Sequence, residues 1–136
     1  MTATITAILV AGAVAVTACS DGPASASLSE EERLQAASQG LCDAQVLASE
    51  GRVRDAASVF QAETHDYLHA LAGKLQSDDP AAAAGLLEAK QRVEQALARG
   101  ADPPGTQVLL SELQRALGDA AAAAGLPEPL CREGAT

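Results

Sequence analysis

The chain has almost no aromatic residues, with one Phe, one Tyr and no Trp among 136 residues. Because aromatic side chains contribute the largest buried areas in most cores, a core in this chain must be built from Leu, Val and Ala. Cores of these side chains favour closely packed helices over sheets. β-branched residues are also scarce after position 28, which argues against strands. The composition therefore predicts an all-α fold.

Basic residues are also few, because nine Lys and Arg stand against 18 Asp and Glu, for a formal net charge of −9. This balance opposes binding to nucleic acid or to an anionic lipid surface, whereas cationic partners and divalent metals remain candidate ligands. The sequence has no Gly-rich phosphate loop, no Cys-x-x-Cys pair and no Gly-x-Ser-x-Gly turn. We therefore expect no enzyme activity.

The N-terminus carries the most specific pattern in the chain. An uncharged apolar run over residues 5–16 leads directly into Thr17-Ala18-Cys19. The run is too short to cross ~30 Å of hydrocarbon, which needs ~20 residues, and it has the length of the apolar core of a signal peptide. The segment that follows, residues 20–27, is small, polar and contains Gly and Pro, as a flexible spacer does.

This arrangement resembles the lipobox, the processing site of bacterial lipoproteins. The resemblance implies that residues 1–18 are a signal peptide and that Cys19 becomes the acylated, palmitate-bearing N-terminus, with residues 19–28 as the tether. It implies a lipid anchor in the cell membrane, with the domain on the extracytoplasmic face. Export signals normally begin with positive charge, but the first four residues lack Lys and Arg. Either the α-amino group alone supplies this charge or the true start lies upstream of Met1, and we favour the second.

Four segments after position 28 carry helical periodicity and end signals. They cover residues 29–50, about 52–76, 79–99 and about 102–124. The first opens with a capping box from Ser29 to Glu32, and the third has Asp79 as N-cap with Pro80 at its first position. Since the connections are short, sequential helices should be antiparallel neighbours. The sequence predicts an up-down-up-down four-helix bundle with a C-terminal tail over residues 29–136.

The periodicity also predicts which side chains face inward. Gly40, inside the first helix, is a mild weak point for helix propensity. On the third helix we expect Lys90 to pair with Glu94, and Glu88 with Arg92, on the outer face. The inward face of the second helix is predicted to consist of Val53, Ala57, Phe60, Thr64, Tyr67, Leu71 and Leu75.

If Cys19 is acylated, Cys42 and Cys131 are the two cysteines left in the chain. Cys42 lies about 20 Å along the first helix, and an extended tail from Gly125 to Cys131 reaches about 20 Å. A tail that runs beside the first helix can therefore bring the two sulfurs together. Two cysteines in an exported protein usually pair, although a buried free thiol at Cys42 is the alternative.

The two histidines, His65 and His69, lie one turn apart on the second helix, where two imidazoles can chelate zinc, copper or nickel. The helical wheel places His65 at the edge of the core face and His69 on the polar side. A third ligand would have to come from another helix, the tail or a second molecule. The alternatives are two solvated histidines or a pH-responsive contact.

These observations together predict a membrane-anchored envelope lipoprotein. Its small helical bundle is expected to act as a non-enzymatic binding or structural module, with another envelope protein as a possible partner. The alternative function is binding or sensing of a divalent transition metal at the cell surface through His65 and His69.

Overall fold

The computed structural model describes residues 28–132. The expected signal peptide, Cys19 and the tether up to residue 27 lie outside the described residues. Within 28–132 the chain forms four helices and no strand. None of the helices in this part of the chain is long and apolar enough to cross a bilayer. Helix α1 spans Glu30–Ser49, α2 spans Val53–Val59, Phe60–Thr64 and His65–Leu75 in succession, α3 spans Pro80–Arg99, and α4 spans Pro103–Ala123.

The helices begin and end at the residues that the sequence indicates. Ser29 and Glu32 form a reciprocal capping box at the start of α1. The carboxylates of Asp79 and Asp102 accept hydrogen bonds from the backbone N–H three residues later, each at 2.9 Å, and so cap α3 and α4. Three glycines at positive φ follow α1, α3 and α4: Gly51 at 76°, Gly100 at 62° and Gly125 at 69°.

The four helices are antiparallel and close into a bundle. Helices α1 and α3 each pack against both α2 and α4. Glu30 at the start of α1 contacts Lys74 near the end of α2, as antiparallel neighbours require. Nearer the middle of the bundle, polar contacts join Ser38 to Gln114, His65 to Glu94, and Arg92 to Glu112. The predicted all-α four-helix bundle is therefore confirmed.

The core is built from aliphatic side chains, with Phe60 and Tyr67 as its aromatic members. Burying one Leu side chain stabilises the fold by about 1.5–3 kcal/mol, so the leucines supply most of the hydrophobic stabilisation. Alanines occupy much of the remaining buried surface and let the helix backbones approach closely. The fully buried leucines are Leu34, Leu41, Leu68, Leu71, Leu86, Leu110, Leu113 and Leu117.

Helix α2 is not the continuous α-helix that its periodicity predicts, because residues Phe60–Thr64 form a π-helical turn. The turn packs closely against α1 at Ala37 and Gly40. The hydroxyl of Thr64 donates a hydrogen bond to the backbone carbonyl of Ala37 at 3.0 Å. A Cβ at Gly40 would lie 2.6 Å from Thr64 Oγ1 and 2.8 Å from the Cβ of Glu63. The glycine is therefore required by this approach.

The π turn also corrects the predicted inward face of α2. A π turn contains about one residue more than an α-helical turn. The residues that face inward before the turn therefore lie one position earlier than an unbroken α-helix would place them. Ala56 is fully buried, whereas Ala57, which was expected inward, is only partly buried. The inward residues on the C-terminal side of the turn, Tyr67, Leu71 and Leu75, are buried as predicted.

The C-terminal tail, residues 126–132, runs beside α1 and is joined to it by the Cys42–Cys131 disulfide, with a Cα–Cα distance of 5.8 Å. The predicted pairing is thus confirmed, and the alternative of a free thiol at Cys42 is wrong. The bond joins residues 89 positions apart in sequence. Chain-entropy arguments assign a loop of that length about 4–5 kcal/mol of stabilisation.

Replacing Gly40 by Ala should destabilise the bundle by about 1–3 kcal/mol, because the added Cβ overlaps Thr64 and Glu63 across the α1–α2 contact. Chemical denaturation followed by circular dichroism measures the change. The matched control is Gly73→Ala on α2, where an added Cβ meets nothing within 4 Å. The control should stabilise the protein by about 0.5–1 kcal/mol, as Ala does in an exposed helix interior. Equal effects at the two positions would contradict the close approach.

Candidate functional site

The two histidines singled out from the sequence lie beside each other on α2, directly after the π turn. Their ring centroids are 4.9 Å apart, and the ring planes are inclined at 70°. The side chain of His65 is 21% exposed, and His69 is exposed to solvent. Phe60, at the start of the π turn, contacts His65 edge to face at 6.4 Å between centroids. The site is therefore a shallow position at the boundary between the core and the surface.

Both ring nitrogens of His65 face carboxylates. Nδ1 lies 2.9 Å from Oδ1 of the neighbouring Asp66, and Nε2 lies 3.0 Å from Oε1 of Glu94 on α3. A neutral imidazole has a single N–H and can donate to one of these oxygens, whereas the imidazolium donates to both. The contact between His65 and Glu94 joins α2 to α3, and the fully exposed Asp66 makes the outer contact.

The same oxygen of Glu94 also accepts a hydrogen bond from Lys90 Nζ at 2.6 Å. The predicted pairing of Lys90 with Glu94 is confirmed, but its predicted position on the outer face is wrong, because Lys90 is only 4% exposed. A buried ammonium group is costly unless it is paired, so Glu94 compensates the charge of Lys90. Arg92 pairs with Glu112 on α4 at 2.9 Å, rather than with Glu88 as expected.

His65, Glu94 and Lys90 therefore form one ionic cluster between α2 and α3. Within residues 28–132, no three His, Cys, Asp or Glu side chains converge on a common point that could hold a metal ion. Of the two carboxylates that contact His65, Glu94 already compensates the buried cation of Lys90. The contact of His65 with Glu94 joins the two helices at this cluster.

A second polar cluster joins the start of α1 to the end of α2. Glu30 contacts Lys74 Nζ at 2.6 Å and accepts a hydrogen bond from the hydroxyl of Tyr67 at 3.2 Å. The hydrogen bond from Lys74 is the largest of the effects that lower the pKa of Glu30. Burial, followed by the Glu30 carboxylate, raises the pKa of Tyr67. The acidic first turn of α1 therefore takes part in a contact between helices.

Open grooves lie on both sides of α4 on the described surface. One groove, of about 420 Å³, lies between α3 and α4, with small residues such as Gly85 and Ala89 lining it. The ion pair of Arg92 with Glu112 lies on the same groove. Another, of about 530 Å³, lies between α4 and the tail. Neither groove includes the histidine cluster among its lining residues.

Sequence reasoning found the two histidines but missed their partner on α3. The signal that could have revealed this partner is the position of Lys90. It lies on the same stripe, at spacings of three and four residues, as the core residues Leu86, Val93 and Leu97. A lysine inside a core stripe requires a counter-charge nearby, and Glu94 is one turn away. The sequence contains no local signal that brings His65 to Glu94, because that contact depends on how α2 and α3 pack.

Comparisons of the chain with protein-family models, with curated proteins and with solved structures found no match.

Replacing Glu94 by Gln should destabilise the bundle by about 1–3 kcal/mol, because the ammonium of Lys90 loses its counter-charge while it stays buried. The partial exposure of Glu94 keeps the effect below that of a fully buried pair. Lys90→Met should change the stability by less than about 1 kcal/mol, and Lys90→Met combined with Glu94→Gln should recover most of the loss. Thermal and chemical denaturation give the double-mutant cycle.

The matched control for this cycle is Glu88→Gln, an exposed glutamate on the same helix that should change stability by less than about 0.5 kcal/mol. A double variant as unstable as Glu94→Gln alone would show that Lys90 is not the group that requires the carboxylate.

Proposed function

We propose that this protein is a lipid-anchored envelope protein whose helical bundle serves as a non-enzymatic binding or structural module on the extracytoplasmic face of the membrane. The proposal combines the cellular location that the N-terminal sequence indicates with the chemistry of the described domain.

The observation that carries the proposal is the distribution of the three cysteines. Cys42 and Cys131 are joined in a disulfide, a bond that persists mainly in oxidising, extracytoplasmic compartments. Cys19 is the third cysteine and follows an apolar run and two small residues. A disulfide in the folded domain and a lipobox-like cysteine before it favour the same location. A cysteine that carries more than one acyl chain would anchor the domain without a transmembrane helix.

The surface of the bundle supports a role in binding or architecture. The net charge of −9 disfavours nucleic acid and anionic lipid headgroups as partners. Val46 on α1 and Val108 on the adjacent α4 are each 57% exposed and offer apolar contact area to another envelope protein. The open grooves beside α4 are of a size that admits side chains of a protein partner.

The test is metabolic labelling with a palmitate analogue in bacterial cells that express the full chain, followed by separation of membrane and soluble fractions. We expect labelled protein in the membrane fraction, and loss of both the label and the membrane association in Cys19→Ala. The matched control is Cys42→Ser combined with Cys131→Ser, which removes the other two cysteines and should keep the label. Wild-type protein without label, or a labelled Cys19→Ala variant, would overturn the proposal.

A second candidate function is binding of zinc, copper or nickel through His65 and His69. It is favoured by the adjacent imidazoles and by the carboxylate of Glu94, 3.0 Å from His65 Nε2. An ion bound there would compete with Lys90 for Glu94, since both require the same carboxylate.

Calorimetric titration of the protein with each metal tests this candidate. Metal binding predicts a dissociation constant in the micromolar range or below that is lost in His65→Ala combined with His69→Ala. Glu94→Gln should weaken the binding, whereas Glu88→Gln should not. Titration heats equal to those of buffer would exclude this function for the two histidines.

A further inference from the structure

The C-terminal tail is attached to the bundle mainly at its far end. It leaves α4 after Gly125, whose φ is 69°, and contains no regular secondary structure through residue 132. Near its end, the carbonyl of Leu130 accepts a hydrogen bond from the side chain of Gln35, and the N–H of Arg132 donates one to Gln39 Oε1 at 3.0 Å. The disulfide to Cys42 lies between these two contacts along the tail.

The packing of the bundle depends little on the tail. The cluster of buried core residues extends from Leu34 to Ala121, and every member belongs to one of the four helices. The tail adds Leu126, which packs against the edge of this cluster and is partly buried, and Pro129, which is buried. The backbone N–H of Leu126 also donates a hydrogen bond to the carbonyl of Ala121 at 2.9 Å. Three hydrogen bonds and two apolar residues are few contacts for a segment of this length, so the covalent bond is its main attachment.

The two halves of the disulfide differ in exposure. Cys131 is exposed on the tail, whereas Cys42 on α1 is only 8% exposed. Thiol–disulfide exchange begins with attack of a thiolate on one sulfur, in line with the bond that breaks, and access decides which sulfur is attacked. The geometry makes Cys131 the sulfur that an external thiolate reaches and Cys42 the leaving group.

We propose that the Cys42–Cys131 bond is a redox-sensitive latch, and that a dithiol reductant releases the tail while the four-helix bundle stays folded. In the first step a thiolate of the dithiol bonds to Sγ of Cys131, the Cys42–Cys131 bond breaks, and Cys42 leaves as a thiolate that takes a proton. In the second step the other thiol of the reductant attacks the mixed disulfide and frees Cys131. The reductant is oxidised to its disulfide, and the protein gains two electrons and two protons.

Release of the tail changes the surface of α1. The side chains of Gln35 and Gln39, one helical turn apart, lose their contacts with the tail backbone, and the thiol of Cys42 becomes free. The groove between α4 and the tail loses the wall formed by Leu126, Glu128 and Pro129. The reduced form therefore presents a face to partners that the oxidised form covers with its own tail.

Limited proteolysis of the purified full chain with chymotrypsin, which cleaves after Leu as well as after aromatic residues, tests the latch, because Leu130 lies within the tail and is 61% exposed. The protein is kept oxidised, or reduced with dithiothreitol and alkylated, and the products are identified by mass. Reduction should accelerate cleavage after Leu130 by at least about tenfold, as expected for a segment that opens locally. Cleavage after Leu87 and Leu109, which lie within α3 and α4, should not accelerate, and the helical circular dichroism should be unchanged at 25 °C.

A variant with Cys42→Ser and Cys131→Ser should be cleaved after Leu130 as fast as the reduced wild-type protein, with or without dithiothreitol. Parallel acceleration after Leu87, Leu109 and Leu130 with loss of helical signal would overturn the proposal and show that the bond stabilises the whole bundle. Equal cleavage after Leu130 in the oxidised and reduced proteins, or a disulfide that survives dithiothreitol in the folded protein, would also overturn it.

Discussion

The covalent bond between Cys42 and Cys131 is the constraint that connects the fold of this protein to its proposed location. It joins the middle of the first helix to the segment after the last, so that all four helices lie within or beside one closed loop. Its expected effect of about 4–5 kcal/mol is a large part of the 5–15 kcal/mol by which small domains are usually stable. The bond also assigns two of the three cysteines to the folded domain, which leaves Cys19 for the proposed anchor.

Much of the fold can be predicted from the sequence because its signals are local. The caps at Ser29, Asp79 and Asp102 fix where helices begin, and the apolar spacing fixes which faces are buried. The reach of the tail along a helix of known rise permits the disulfide, and the usual pairing of two cysteines in an exported protein favours it over a free thiol. The π turn could not be predicted in this way, because it accompanies a contact between helices, where Thr64 packs against Gly40.

In the candidate site, too, local features could be predicted from the sequence and packing-dependent features could not. The spacing of His65 and His69 places both imidazoles on one side of α2, and the structure brings them within 4.9 Å. Their surroundings depend on the packing of α2 against α3, which brings Glu94 to His65 and buries Lys90 beside it. Two histidines that read as possible ligands in the sequence thus lie beside an ionic cluster that joins two helices. The chemistry of such a position is decided by a charge on another helix.

The most direct test of the account is the intact mass of the mature protein extracted from bacterial membranes, with and without reduction. The account predicts a chain that begins at Cys19, carries the added mass of its acyl chains, and is about two mass units lighter than the reduced form because a disulfide lacks two hydrogens. A chain that retains residues 1–18, or one that begins at Cys19 without acyl groups, would contradict the lipid anchor. An unchanged mass on reduction would contradict the disulfide.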